Sequence, residues 1–140
     1  MKNILVGYNG SGPSKNAVEL SIIHAKAFNA AVTIFVSMDD NINESFSNKQ
    51  AERFWVDFKE AEAELEKVKE KLKKAGISCV TQLSTTGLDP GTDIIDFAKK
   101  IAADEIIIGI EKKSKVDKFI FGSTAQKVIL ESKCPVLTVR

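Results

Sequence analysis

Two stretches of the chain carry residue types that could do chemistry. The first spans residues 109–123, GIEKKSKVDKFIFGS, and sets Lys112, Lys113, Lys115 and Lys118 between Gly109 and Gly122. It follows an apolar run and ends where a helical pattern begins at Ser123 and Thr124. A helix N-terminus offers backbone N–H groups without intrahelical acceptors and the positive end of the helix dipole. Two hydroxyls and clustered ammonium groups would add to its attraction for an anion. The second stretch is GYNGSG at residues 7–12. Its glycines let backbone approach a ligand, and the Asn9 amide can both donate and accept hydrogen bonds. On residue types alone, an anion site and a merely solvated lysine loop both remain open.

The other reactive side chains do not assemble into conventional catalytic sets. His24 is the only histidine. It shares a helical face with Ala17, Leu20 and Phe28, and no acid or nucleophile stands beside it in the pattern. A general base needs a positioned partner, so His24 reads as a packed or half-exposed side chain. Asp39, Asp40 and Glu44 match no metal-ligand spacing and read as a solvated acidic loop. Neither GxxxxGK[ST] nor GxGxxG occurs, so the P-loop and the dinucleotide fingerprint are both missing. Cys79 and Cys134 are too few and too far apart for a zinc cluster; at the edges of apolar runs they read as structural thiols. No catalytic residue and no metal ligand is expected.

Periodicity supplies the elements that must position these stretches. NILVGY is a short apolar run typical of a buried strand. NGSGP turns the chain, with Pro13 at a favourable first helical position, and residues 13–29 read as a helix. AAVTIFVSM is a second strand, and DDNINESFSN a polar connection. A long helix over residues 49–75 carries Phe54, Phe58, Ala61, Leu65, Val68, Leu72 and Ala75 as one stripe. A coiled-coil seam is conceivable, but flanking strand patterns favour packing along a sheet. Gly76 is placed to stop it. ISCVTQLST, more polar, suits a strand near an edge. GLDPGTD opens a helix with Asp89 as N-cap, and Ile94, Phe97, Ala98 and Ile101 as its inner face. DEIIIGI is a strand buried on both sides, STAQKVILES a helix, and CPVLTVR a final strand.

The resulting order, βαβαβαβαβ, predicts a mainly parallel sheet with helices on both faces, built as a single domain over residues 1–140. The 20 Lys and Arg nearly balance 19 Asp and Glu, for a net charge of +1. That argues against a bulk nucleic-acid binder. No apolar run approaches membrane-spanning length. The start, MKNILVGYNG, has no signal-peptide core, so a cytoplasmic protein is expected. In an open sheet of this kind ligands sit beyond the carboxyl ends of strands, where strand order reverses.

Over essentially its whole length the chain resembles the universal stress protein family. ILVGYNGSGPSKNAVELS is similar to that family's opening strand, turn and first helix, and GLDPGTDIIDFAKK to the start of its third helix. DEIIIGI followed by GSTAQKVILESKCPVLTVR is the most specific part of the likeness. The resemblance implies an open five-stranded parallel sheet in the order 3-2-1-4-5, of the adenine nucleotide alpha hydrolase-like kind. Nucleotide-binding members carry Gly, two residues, Gly, nine residues, then Gly-Ser or Gly-Thr. Here Gly109, Gly122 and Ser123 match. Lys112 stands where the second glycine belongs, and Asn9 stands where the family often has Asp.

From this resemblance follows an adenine nucleotide, ATP or AMP, with or without Mg, at the carboxyl ends of the first and fourth strands. Its nucleoside would lie near Gly7, Asn9 and Ser37, and its phosphates near Gly109, Lys112, Gly122, Ser123 and Thr124. Tyr8 and Ile108 complete the implied set. The family likeness also implies a homodimer paired through Val136, Leu137 and Val139 of the last strand, acting as a stress sensor or regulatory module. Two alternatives stay open. One is a dimeric, partner-binding stress protein without nucleotide. The other is a slow ATPase using Glu111 or Asp117 as a metal-holding acid.

Overall fold

Strands and helices alternate through the chain as β1 (Asn3–Gly7), α1 (Gly12–Phe28), β2 (Ala31–Ser37), α2 (Asn48–Lys74), β3 (Cys79–Ser84), α3 (Pro90–Lys100), β4 (Glu105–Gly109), α4 (Ser123–Glu131) and β5 (Val136–Val139). The computed structural model describes residues 1–38, 48–111 and 122–140, with residues 48–56 as backbone only. Asp39, Asp40, Glu44 and the Phe54 side chain therefore lie outside the described residues.

The five strands form one parallel sheet in the order β3-β2-β1-β4-β5. Side-chain alternation divides the core in two. Ile4, Val6, Val32, Ile34 and Ile107 project to the face covered by α1 and α2, where Leu65, Val68 and Leu72 of the long stripe are buried. Leu5, Phe35, Ile106 and Ile108 project to the other face, under Ile94, Ile95 and Ala98 of α3 and Ala125 and Val128 of α4. On that side Phe35 stacks on Phe97, with ring centroids 4.7 Å apart. The long helix thus packs along a sheet, as its flanking strands foretold. Among the described residues no helix is long and apolar enough to cross a membrane.

The turns follow the local chemistry. Gly76, at φ +79°, ends α2 in a left-handed conformation that a Cβ would strain. Asp89 caps α3 by accepting the Thr92 N–H at 3.0 Å. The Thr92 hydroxyl, then its N–H, holds the Asp89 carboxyl below its ordinary value. Both edge strands match their sequences: β3 is polar and half-exposed, and β5 is the outer strand on the opposite side. Four strand spacings of about 4.8 Å separate those edges. Cys79 and Cys134 accordingly remain free thiols, and burial pushes the Cys79 thiol up to about 11 despite Lys69 nearby.

One sequence expectation is corrected. His24 does have an acid beside it: its Nδ1 lies 2.7 Å from Oε1 of Glu105, which is 7% exposed at the start of β4. The pair is separated by 81 positions in sequence, so no helical pattern could display it. It joins α1 to β4 at the end of the sheet away from the two glycine-rich stretches.

Candidate functional site

From β1 the chain crosses to β2 on one side, while β4 and β5 lie on the other. The connections at the carboxyl ends of β1 and β4 therefore diverge, and a cleft of about 280 Å³ opens between them. Gly7, Tyr8 and Asn9 reach it from the end of β1, and Ser11 and Ser14 from the start of α1. Phe35 and Ser37 come from β2, and Pro90 and Ile94 from α3. Ile108, Gly109, Ile110 and Glu111 follow β4, and Gly122, Ser123, Thr124 and Ala125 open α4.

Nine residues selected from the sequence thus line one cleft: Gly7, Tyr8, Asn9, Ser37, Ile108, Gly109, Gly122, Ser123 and Thr124. Lys112 lies outside the described residues, as do Lys113, Lys115, Asp117 and Lys118. Ser11, Ser14, Phe35, Pro90 and Ile94 were not assigned to a site by sequence reasoning, which read Ile94 only as part of a buried helix face. The available signal was positional, because every strand-to-helix loop of a parallel sheet emerges at the same end.

Three helix N-termini meet here, and they differ in how their N–H groups are satisfied. Ser11 caps α1, its Oγ accepting the Ser14 N–H at 3.3 Å. Asp89 caps α3. The N-cap of α4 is Gly122, which has no side chain, and no side-chain hydrogen bond caps that helix among the described residues. The first N–H groups of α4 therefore keep their positive field for whatever occupies the cleft.

Individual side chains are more committed than their types suggested. The Asn9 Oδ1 accepts the Ser11 N–H at 3.1 Å in a local turn, and among the described residues its amide nitrogen remains available as a donor. The Tyr8 hydroxyl donates to Glu64 Oε1 of α2 at 2.6 Å. Burial, reinforced by that bond, raises the phenol well above its ordinary pKa. The Ser37 hydroxyl donates to Asp93 Oδ2 at 2.6 Å. Gly109 serves α1 as much as the cleft: a Cβ there would lie 2.4 Å from the Pro13 carbonyl carbon and 2.5 Å from the Ser14 nitrogen. Only a residue without a side chain lets α1 begin this close to β4. Among the described residues no group of three or more His, Cys, Asp or Glu could hold a metal ion.

A doubly covered parallel sheet in this order, with a cleft at its point of reversal, is the adenine nucleotide alpha hydrolase-like fold. The universal stress protein family model matches residues 1–140, and the chain belongs to that family. It is 31% identical to universal stress protein MJ0531 of Methanocaldococcus jannaschii, an alignment covering 99% of this chain and 82% of the relative. A solved universal stress protein from Archaeoglobus fulgidus superimposes with a TM-score of 0.79 at 26% identity, covering 100% of this chain and 94% of that one. Another structure from that organism, in complex with dAMP, gives 0.76 at 23% identity, covering 100% and 98%.

Proposed function

We propose that this chain is a single-domain cytoplasmic stress-response module that binds an adenine nucleotide, ATP or AMP, in the cleft between β1 and β4. The observation that carries the reading is the α4 N-terminus, which no side chain caps among the described residues, facing a cleft walled by Phe35, Ile94 and Ile108. One end suits an anion and the other a flat apolar ring. Its volume, about 280 Å³, is near the lower end of the range for small-molecule sites, about 300–1,000 Å³. That size suits a mononucleotide. The dAMP held by the Archaeoglobus relative supports the same class of ligand. In this reading Ser123, Thr124 and Gly122 receive the phosphate, Lys112 adds its ammonium charge, and Asn9 donates to the nucleoside.

The outer edge of β5 supports a homodimer. Its four residues are all half-buried, and an exposed strand edge invites pairing with its own copy across a two-fold axis. Val136, Leu137 and Val139 would lie in or beside the contact.

Calorimetric titration with AMP and ATP, with and without magnesium, tests the ligand, and light scattering at tens of micromolar, a concentration suited to an ordinary dimer, tests the assembly. Saturable binding at one site per chain is expected, weakened in Lys112→Ala and less so at high salt. Absence of binding by either nucleotide refutes the nucleotide reading. A monomeric mass refutes the dimer.

A further inference from the structure

We propose that Asn9 and Gly10 form a self-modification site, at which the folded chain converts the Asn9 side-chain amide into a carboxylate on the wall of the cleft. Seven asparagines occur in the chain, and Asn9 alone is followed by glycine. Both residues are exposed just beyond β1, where Asn9 lines the cleft.

The reaction needs a free backbone nitrogen next to an activated amide carbon. The nitrogen is that of Gly10, whose N–H has no hydrogen-bond partner among the described residues. A Cβ at Gly10 would meet nothing within 4 Å, so neither a side chain nor a neighbour obstructs the approach. The carbon is Asn9 Cγ. The bond from the Ser11 N–H to Asn9 Oδ1, at 3.1 Å, folds this side chain back along its own backbone, and the Gly10 amide lies inside the loop so closed. When Gly10 N adds to Cγ, negative charge develops on Oδ1. The Ser11 N–H is already in place to stabilise that charge, as a donor does in an oxyanion hole. Ser11 is also the N-cap of α1, so the positive end of that helix dipole acts in the same sense. Other asparagines lack these conditions. Asn3 lies within β1 and Asn16 within α1, and the N–H that follows Asn29 is spent on Ala25 O at 3.0 Å.

The steps balance with water as the one co-reactant. Gly10 N gives up its proton to solvent and bonds to Asn9 Cγ. The Cγ–Nδ2 bond then breaks, and the amide nitrogen leaves as ammonia, which leaves a succinimide ring. Water opens the ring in one of two ways. Attack at Cγ breaks the new bond and yields aspartate. Attack at the Asn9 backbone carbonyl carbon breaks the original peptide link and yields isoaspartate, with one more carbon in the main chain. Either product replaces an amide donor by a carboxylate that can only accept, and the second also lengthens the turn that leads into α1. The modification itself stands on this local geometry. Its effect on AMP rests on the reading of the cleft as a nucleotide site, in which the Asn9 amide donates to the nucleoside.

The test is to incubate the full-length protein for days in mildly alkaline buffer, folded and, in parallel, unfolded in guanidinium chloride. Mass spectrometry of its peptides then locates each exchange of an amide NH2 for OH, and an isoaspartyl methyltransferase labels the isoaspartate. Conversion should concentrate at Asn9 and proceed in the folded chain at least as fast as in the unfolded one. Asn9→Gln, whose amide stands one carbon farther out, should lose it, and Gly10→Ala should slow it; melting temperatures show that both variants are folded. AMP should bind aged wild type about tenfold more weakly than fresh, the factor of one lost hydrogen bond, while the affinity of Asn9→Gln should not drift with age. No conversion at Asn9, conversion spread over the other asparagines, or a faster rate in the unfolded chain overturns the proposal. An AMP affinity that is unchanged by conversion overturns its consequence for the cleft. Failure of fresh protein to bind AMP overturns the nucleotide reading alone, because the mass measurement involves no ligand.

Discussion

Replacing Gly109 by alanine adds a single methyl group at the point where α1 starts against β4. That methyl would fall 2.4 Å from the Pro13 carbonyl carbon, 2.5 Å from the Ser14 nitrogen and 2.7 Å from the Pro13 carbonyl oxygen. Ordinary non-bonded contact begins near 3.5 Å, so one partner must retreat by about 1 Å. All three obstructing atoms are backbone, held by the first turn of a helix, and cannot swing away as a side-chain tip would. Overpacking by one methyl group typically costs about 1–3 kcal/mol, and the rigidity of the neighbour puts Gly109→Ala at the upper end, about 3 kcal/mol. At roughly 3–5 °C per kcal/mol for a chain of this length, Tm should fall by about 10 °C. The retreat of α1 also carries Ser11 and Ser14 out of the cleft wall, so AMP affinity should drop in the surviving folded protein. Gly12→Ala is the control. It lies at the start of the same helix, and a Cβ there meets nothing within 4 Å. Thermal unfolding by circular dichroism reads both variants. A Gly109→Ala protein within about 0.5 kcal/mol of wild type, the range of an inert surface change, would refute the steric account.

Three further outcomes follow from other parts of the molecule. His24→Ala should destabilise by about 1–3 kcal/mol because it strips the buried Glu105 of its partner; chemical denaturation checks this, and adding Glu105→Gln should recover part of the loss. Ala102 sits exposed at φ 52°, so Ala102→Gly should stabilise by about 1 kcal/mol by relieving a left-handed alanine; an unchanged denaturation midpoint would contradict it. The Asp104 carboxyl is held below its ordinary value by the N–H groups of Asn3, then Lys2. A depressed folded pKa contributes stability above the unfolded value of about 3.9 that is lost as pH falls through the folded one. Asp104→Asn should therefore flatten the acid side of the stability profile, and superimposable acid titrations of the two proteins would argue against the assignment.

Much of this protein is determined locally and can be read from the sequence. Alternating strand and helix periods set the element order, Asp89-Pro90 starts α3, Gly76 stops α2, and the 4,3 stripe through Leu65, Val68 and Leu72 marks the buried face. These are contacts between near neighbours or between a chain and its own solvent exposure, so spacing displays them. Strand order is different. Period and polarity placed β3 toward an edge but could not rank the five strands; the family likeness anticipated 3-2-1-4-5, and the sheet realises it. The cleft was legible in outline because parallel strands send all their following loops to one end. Its working details arise from pairs that are remote in sequence. Ser37 meets Asp93, Tyr8 meets Glu64, His24 meets Glu105, and the missing Cβ of Gly109 admits the backbone of Pro13 and Ser14. Which way a hydroxyl donates, whether a buried acid is paired and what fills the space beside a glycine depend on atoms brought within a few ångströms by the sheet. Only tertiary structure decides these, because the energy of a hydrogen bond or a steric clash is a function of distance in space and not of separation along the chain.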